Sequence, residues 1–593
     1  MDWLPSFAKQ RPPRGPYYEY LAGTTPRRGW RCWVFTLVTI CALLALLLFS
    51  TSLGTHMPAG YLSIESYGSQ ANNACTLGDG AVKGAYLRPH TGEYVAPNED
   101  EWTWERVEEM VAGTRGFYAR DWPLQLGWNN VRYIIEAGLL HASLLNRTLV
   151  IPSFIYARSC LYEFDVCSTF AQKFHRGPDI GMGDFAYLSE AEQTAWRLPI
   201  SLMIDLPRIR KAHSVITVSE YLRLHQIDPE LELGNGSWSA ELYHGGPLNP
   251  TLRTLLQQEW DDDIVRVDRE YDLPPGKDAG GVVDKALREQ RNSHGSVDIG
   301  HAQNVMHDHG VNWGNTAELE QLLHDAGWGV LHTFRTSFVE MFKAVTEYEA
   351  ETAPLEDMHG LVDEFFDEPA DVFHVQGETH WNRKAGQLRF TTGPGRTHFA
   401  ELVLNGVHPI PPVRALGERL AQRMLDRNNG RQYMSAHMRR GDFAVLGWAE
   451  KTIEEHTARI LNRIENGLKS LREWTYSGLH TVEVPGITPD DFASDAPTPR
   501  EGDAFFLATD ATNATDVAYV HAQGAVLLAD LIQSGDERLL GWPALFGDVR
   551  AQVEQEVAAR AAYFYGHSMS SVAGGVANLR GARGRDPRTC HVD

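Results

Sequence analysis

Short apolar runs alternate with long amphipathic stretches through the last third of this chain, and that alternation restricts the fold more than any other feature. Tyr433–His437, Ala504–Ala508, Ala525–Leu528 and Tyr563–Tyr565 read as strands. Thr452–Trp474, Val549–Ala562 and Ser570–Arg580 read as helices. A parallel strand pair needs a crossover long enough to hold a helix, so the pattern predicts a parallel sheet in an α/β fold. The chain begins its folded pattern near Trp122 in the same way. Val131, Ile134, Ile135, Gly138, Leu139 and Ala142 fall on one face of a helix over Asn130–Leu145, and the strand Thr148–Ile151 follows. Val215–Val218, Gly329–Thr333 and Asp371–Val375 are further strand candidates. Residues 226–325 are rich in Gly, Asp, Asn and His, which predicts an insertion or long loops.

Ligands of parallel sheets sit at the carboxyl ends of the strands. Three polar clusters occupy that position here. The first is His437-Met438-Arg439-Arg440-Gly441-Asp442-Phe443. Adjacent arginines present planar forks of donors that match a phosphate. Gly441 lets backbone approach a ligand, Asp442 can hold an arginine, and Phe443 offers a stacking face. The alternative is a strand-end salt bridge between Asp442 and Arg440. The second cluster is Thr509-Asp510, where the carboxylate either accepts from a purine edge or ribose or caps the next turn. The third is Ser570-Ser571 ahead of a helix, suited to phosphate or to plain N-capping. Near the start of the fold, Gly127, Asn129 and Asn130 open the first helix and suit a phosphate or sugar hydroxyl, or a simple cap by Asn129.

The 593 residues suffice for about two to four domains. A formal charge of −23 argues against a nucleic-acid partner, which would need a basic face. Trp33 to Phe49 are continuously apolar or uncharged, and Lys9, Arg11, Arg14, Arg27, Arg28 and Arg31 precede them. This predicts one transmembrane helix with a cytosolic N-terminus and a luminal body, hence a type II membrane protein of the endoplasmic reticulum or Golgi, with a cleaved signal peptide as the alternative. The expected division is a tail at 1–29, a membrane helix at 30–52, a stem at 53–115, an N-terminal domain at 116–409 and a C-terminal domain at 410–593. An oxidising lumen permits disulfides, and Cys160 with Cys167 is the preferred pair. Asn146, Asn235 and Asn513 each open a glycosylation sequon.

Asp261 to Asp263 follow no strand pattern and read as a solvated loop. His301, His307 and His309 lack a cysteine or carboxylate at an established metal-ligand spacing. No metal is therefore expected. Sequences G-x-S-x-G, H-E-x-x-H and Walker A are absent.

Four segments, in order, resemble the GDP-fucose O-fucosyltransferase-like superfamily, which includes the α1,6-fucosyltransferases. Leu126 to Asn130 with Asn146 to Pro152 is similar to its glycine/asparagine loop and "NRTLvlP" strand. His437 to Phe443 is similar to "HxRRxDF", Ala508-Thr509-Asp510 to "ATD", and Ser570-Ser571 with Arg580 downstream to "SSF". The resemblance covers about 122–160 and 410–580. It implies two Rossmann-like domains facing a cleft, the GT-B arrangement, with GDP-fucose as donor and a protein or glycan acceptor. It implies that Arg439 stabilises the departing diphosphate, supported by His437 and Arg440. Asp510 would read the guanine or ribose, Ser570 and Ser571 the phosphates or base, and Asn130 the donor sugar or acceptor. Val572 stands where the family prefers Phe, and Leu126 where one branch carries a Glu taken as base, so no base is carried over. Two other readings remain at this level: a membrane-tethered glycan or glycoprotein binder on a degraded fold, and a GT-B enzyme using another sugar nucleotide.

Overall fold

The structure, a computed structural model, describes residues 102–593 except 178–179, 181–189, 257–263, 269–275, 293–294, 335–343, 378–388 and positions 481, 483 and 485. It also describes the paired strands Tyr86–Leu87 and Tyr94–Val95. The expected tail and membrane helix, most of the stem, and Asp261 to Asp263 lie outside the described residues. Among the described residues no helix is long and apolar enough to cross a membrane.

The N-terminal lobe begins with helix α1 (Trp104–Ala112), inside the stretch expected as stem. Its Val107 is buried with Phe117 and Tyr221 in a satellite of the core. The sheet strands are β1 (Phe117–Arg120), β2 (Thr148–Ile151), β3 (Val215–Thr217), β4 (Leu252–Leu255) and β5 (Val372–Val375). All four pairings are parallel, in the order β3-β2-β1-β5-β4. Between β1 and β2 runs helix α2 (Trp128–Leu144). A Cβ at Gly138 would lie 3.1 Å from Leu149, so glycine there allows close helix-on-strand packing. Asn146 turns the chain at φ 52°, a left-handed conformation that asparagine tolerates.

The segment 276–360 holds regular structure where loops were one expectation. Helices Val282–Glu289, Ile299–Asp308 and Thr316–Asp325 pack on an antiparallel sheet of Val297–Asp298, Trp328–Phe334 and Tyr348–Pro354. Leu287, Met306, Leu323 and Trp328 form its own small core. The strand expected at Gly329–Thr333 therefore belongs to this module, and β4, within 226–325, belongs to the main sheet.

The C-terminal lobe opens with α3 (Pro411–Arg427) and continues through β6 (Met434–Met438), α4 (Gly441–Leu446) and α5 (Ile453–Ser477). It then runs through β7 (Phe505–Thr509), β8 (Ala525–Val526), α6 (Gly547–Arg560), β9 (Tyr563–Gly566), α7 (Ser571–Gly581) and β10 (Cys590–Val592). The sheet order is β8-β7-β6-β9-β10, again wholly parallel. Counted along the chain, this is the 3-2-1-4-5 order of a doubly wound sheet. A capping box of Thr452 and Glu455 starts α5. The described residues are thus mixed α/β, with two five-stranded parallel sheets, and the Cys160–Cys167 disulfide is formed.

Strand order reverses beside the first strand in each sheet, between β1 and β5 and between β6 and β9. Loops leaving the two strands at a reversal diverge to opposite faces and leave a crevice at their carboxyl ends. Helix α6 joins the lobes. Its Asp548 accepts from the Arg158 backbone N–H at 2.6 Å, and its Gln555 donates to Asn129 Oδ1 at 3.0 Å.

Candidate functional site

The loops after β6, β7 and β9 carry the three polar clusters to one edge of one sheet. Met438 and Thr509 are paired at the ends of β6 and β7, and Ala436 pairs with Tyr565 across the reversal. Arg439 Nη1 lies 3.1 Å from Asp510 Oδ2, with the two side chains 29% and 27% exposed. Asp510 Oδ1 accepts from the Arg440 backbone N–H at 2.6 Å. One carboxylate thus anchors both arginines' positions. A Cβ at Gly441 would stand 2.7 Å from Asp510 Oδ2. The close approach that demands glycine here is therefore to Asp510.

The neighbouring arginine is used differently. The Arg440 guanidinium donates to the backbone carbonyls of Glu450, Lys451 and Thr452, the last two at 3.0 and 3.3 Å. It pins the turn that leads into α5. Asp442 is the second residue of α4; its side chain lies outside what is described. Phe443 is buried, with its ring 5.3 Å from Trp448 and 5.6 Å from His567, and the Arg439 guanidinium 5.9 Å from its centroid. Its faces are engaged by protein, so it supports Arg439 rather than offering an open stacking surface.

Three imidazoles crowd beneath this edge. Burial, then the charge of Arg439 and proximity to His456 and His567, pushes His437 down to about 3. Its Nδ1 has no hydrogen-bond partner among the described residues. Burial likewise pushes His456 down to about 4, against the pull of Glu450 3.7 Å away. Both rings are neutral at physiological pH, so the positive charge of the site stays on its arginines.

Glu554 on α6 had no signature in the sequence. Burial and the adjacent Asp510 charge push its carboxyl up to about 8, against Arg550. A carboxyl raised above its unfolded value holds an extra proton in the native state from about pH 4.5 to 8. Its contribution to stability is present at low pH and is lost as pH rises through that window. Glu554→Gln should therefore gain in melting temperature over the native protein as pH goes from 5 to 8. A constant difference across that range would show that Glu554 titrates normally.

Thr509 Oγ1 accepts from the Ala511 N–H at 3.1 Å and shapes the turn after β7. Ser570 is the N-cap of α7, but its side chain makes no capping bond. Ser571 offers its carbonyl to the Tyr133 hydroxyl of α2 at 2.9 Å. Arg580 is buried and donates to the carbonyl of Ala561 and to Thr589 Oγ1, each at 2.6 Å. It braces the α6–β9 junction.

On the N-terminal side, Gly127 and not Asn129 is the N-cap of α2. Asn129 is buried against Gln555, which ties it to the lobe junction. Asn130 Oδ1 is buried without a hydrogen-bond partner among the described residues. Burial raises the Asp548 carboxyl, opposed by the charges of Arg158, Arg439 and Arg176. The junction therefore gathers arginines from both lobes. Among the described residues no group of three His, Cys, Asp or Glu side chains is placed to hold a metal.

No protein-family profile matches the chain, and no curated protein does. Among solved structures, POFUT1 in complex with GDP-fucose is 10% identical, covering 81% of this chain and 98% of its own, at a TM-score of 0.31. The NodZ α1,6-fucosyltransferase soaked with GDP-fucose is 12% identical over 78% of this chain and 91% of its own, at 0.28. The fucosyltransferase NodZ from Bradyrhizobium is 11% identical over the same shares, at 0.26.

Proposed function

We propose that the chain is an inverting, metal-independent GT-B glycosyltransferase that transfers fucose from GDP-fucose to a protein or glycan acceptor. The observation that carries this is Arg439. It sits at the strand-order reversal of a 3-2-1-4-5 sheet, is partly exposed, and is paired with the Asp510 carboxylate. As the bond to the sugar breaks, negative charge collects on the departing diphosphate, and a preorganised guanidinium there lowers the barrier. Asp510 orients the guanidinium and holds the Arg440 backbone. Arg440 fixes the following turn, and the neutral His437 packs below without adding charge. The α7 N-terminus on β9, across the reversal, adds uncapped N–H groups suited to phosphate oxygens. Glu554, a protonated carboxyl near Asp510, can both donate to and accept from a purine edge.

A donor screen read by thermal shift tests the reading. GDP and GDP-fucose at a hundredfold excess over Kd should stabilise the protein by about 2.7 kcal/mol. Stabilisation by UDP-sugars instead would replace the donor, and no response to any nucleotide would favour the non-catalytic binder.

A further inference from the structure

Strand β1 ends on a buried arginine. Arg120 is 1% exposed, and its Nε, Nη1 and Nη2 have no hydrogen-bond partner among the described residues. Other arginines buried as deeply are matched. Arg132 meets Glu136, Arg389 meets Glu351, Arg266 meets Asp363, and Arg580 meets backbone carbonyls. Asp121, next in the chain, is committed elsewhere. It accepts from the N–H groups of Trp238 and Gly377 at 2.8 and 2.7 Å and faces His374 Nε2 at 3.3 Å. Tyr118, on the same face of β1 by strand alternation, directs its hydroxyl to His141 Nδ1 at 2.9 Å. A buried guanidinium with no acceptor is costly to fold and contributes nothing in return. Rules of packing are broken in this way where a ligand completes the site.

Its position supplies a second, independent reason. Arg120 and Val375 are the last paired residues of β1 and β5. Those are the two strands between which the order of the N-terminal sheet reverses. Arg120 therefore stands at the crevice of that sheet as Arg439 stands at the crevice of the other.

We propose that Arg120 recognises an oxyanion (a carboxylate, sulfate or phosphate group) carried by the acceptor. The fork of a guanidinium matches any of these groups bidentately. Assigning the anion to the acceptor rests on the donor reading above, which places the diphosphate at Arg439.

The test uses the full chain, with melting temperature read in glucuronate, sodium sulfate and inorganic phosphate against chloride at equal ionic strength. At least one oxyanion should raise the melting temperature of the native protein by more than it raises that of Arg120→Met, and the one that does so identifies the group. Arg120→Met, which removes the charge at similar volume, should melt higher than the native protein in chloride. Its anion affinity should fall about tenfold or more, the scale of a lost charge-assisted hydrogen bond. Its response to GDP should be unchanged. Arg439→Ala should show the converse, keeping the oxyanion response and losing that to GDP. Absence of any oxyanion effect on the native protein would overturn the proposal. So would an unchanged effect in Arg120→Met, or an Arg120→Met protein that is destabilised or unfolded. An oxyanion effect lost in Arg439→Ala instead would place the anion in the donor site and equally overturn it. Failure of GDP to bind the native protein would sink the donor reading alone, leaving the comparison of Arg120→Met with native protein intact.

Discussion

Arg439→Ala should fold with a nearly native melting temperature and lose about 10²–10³ in transfer rate, together with affinity for GDP. The stability half of this follows from exposure. The Arg439–Asp510 pair is about a quarter exposed on each side, and such pairs contribute about 0–1 kcal/mol. The catalytic half follows from position at the reversal between β6 and β9. Arg439→Lys keeps charge but loses the fork, so it should remain strongly impaired. Arg440→Ala should behave in the opposite way. Its guanidinium is spent on three consecutive carbonyls, so its loss should lower stability by about 1–3 kcal/mol. GDP affinity of its folded fraction should fall less. Calorimetric titration with GDP and a melting curve on the same three variants decide the matter. A folded Arg439→Ala protein with native GDP affinity would remove the centre of the proposed mechanism.

Arg580→Ala should be the most destabilising single substitution at this edge, by about 3–5 kcal/mol, the scale of breaking a buried charged network. Its guanidinium bonds the carbonyls of Ala559, Ala561 and Ala562 and the hydroxyl of Thr589. Truncation would strand those acceptors in the core between α6 and β9 and leave a cavity. Urea unfolding followed by circular dichroism measures the change in midpoint. A loss below 1 kcal/mol would mean that water or a neighbour replaces the guanidinium. This residue lies downstream of the Ser570-Ser571 motif, yet its contacts are with the scaffold alone.

Local pattern carried much of the architecture. The strands around Thr148–Ile151 and Met434–Met438, and the helices after Gly127 and Thr452, fall within a few residues of their periodicity. Apolar alternation and end signals act over a turn or a strand, so one segment suffices to reveal them. The module at 276–360 was less legible. Its short amphipathic helices expose polar faces and bury only a small core of their own, so composition alone resembles loop. Candidate site residues were legible as a set, because a parallel sheet delivers every strand's carboxyl end to the same edge.

What each of those residues binds was decided by tertiary structure. By itself the sequence determined two parallel α/β segments, the polar clusters that end their strands, and the Cys160–Cys167 pair. It did not determine that Arg439 takes Asp510 while Arg440 takes the Glu450–Thr452 carbonyls, or that Asn129 joins the lobes through Gln555. Nor did it reveal a proton held on Glu554 or a guanidinium at Arg120 with no hydrogen-bond partner among the described residues. A guanidinium or carboxylate can pair with any complementary group within a few ångströms. Those distances arise only when segments tens to hundreds of residues apart are packed together, and the same packing removes the water that would otherwise make the choice immaterial.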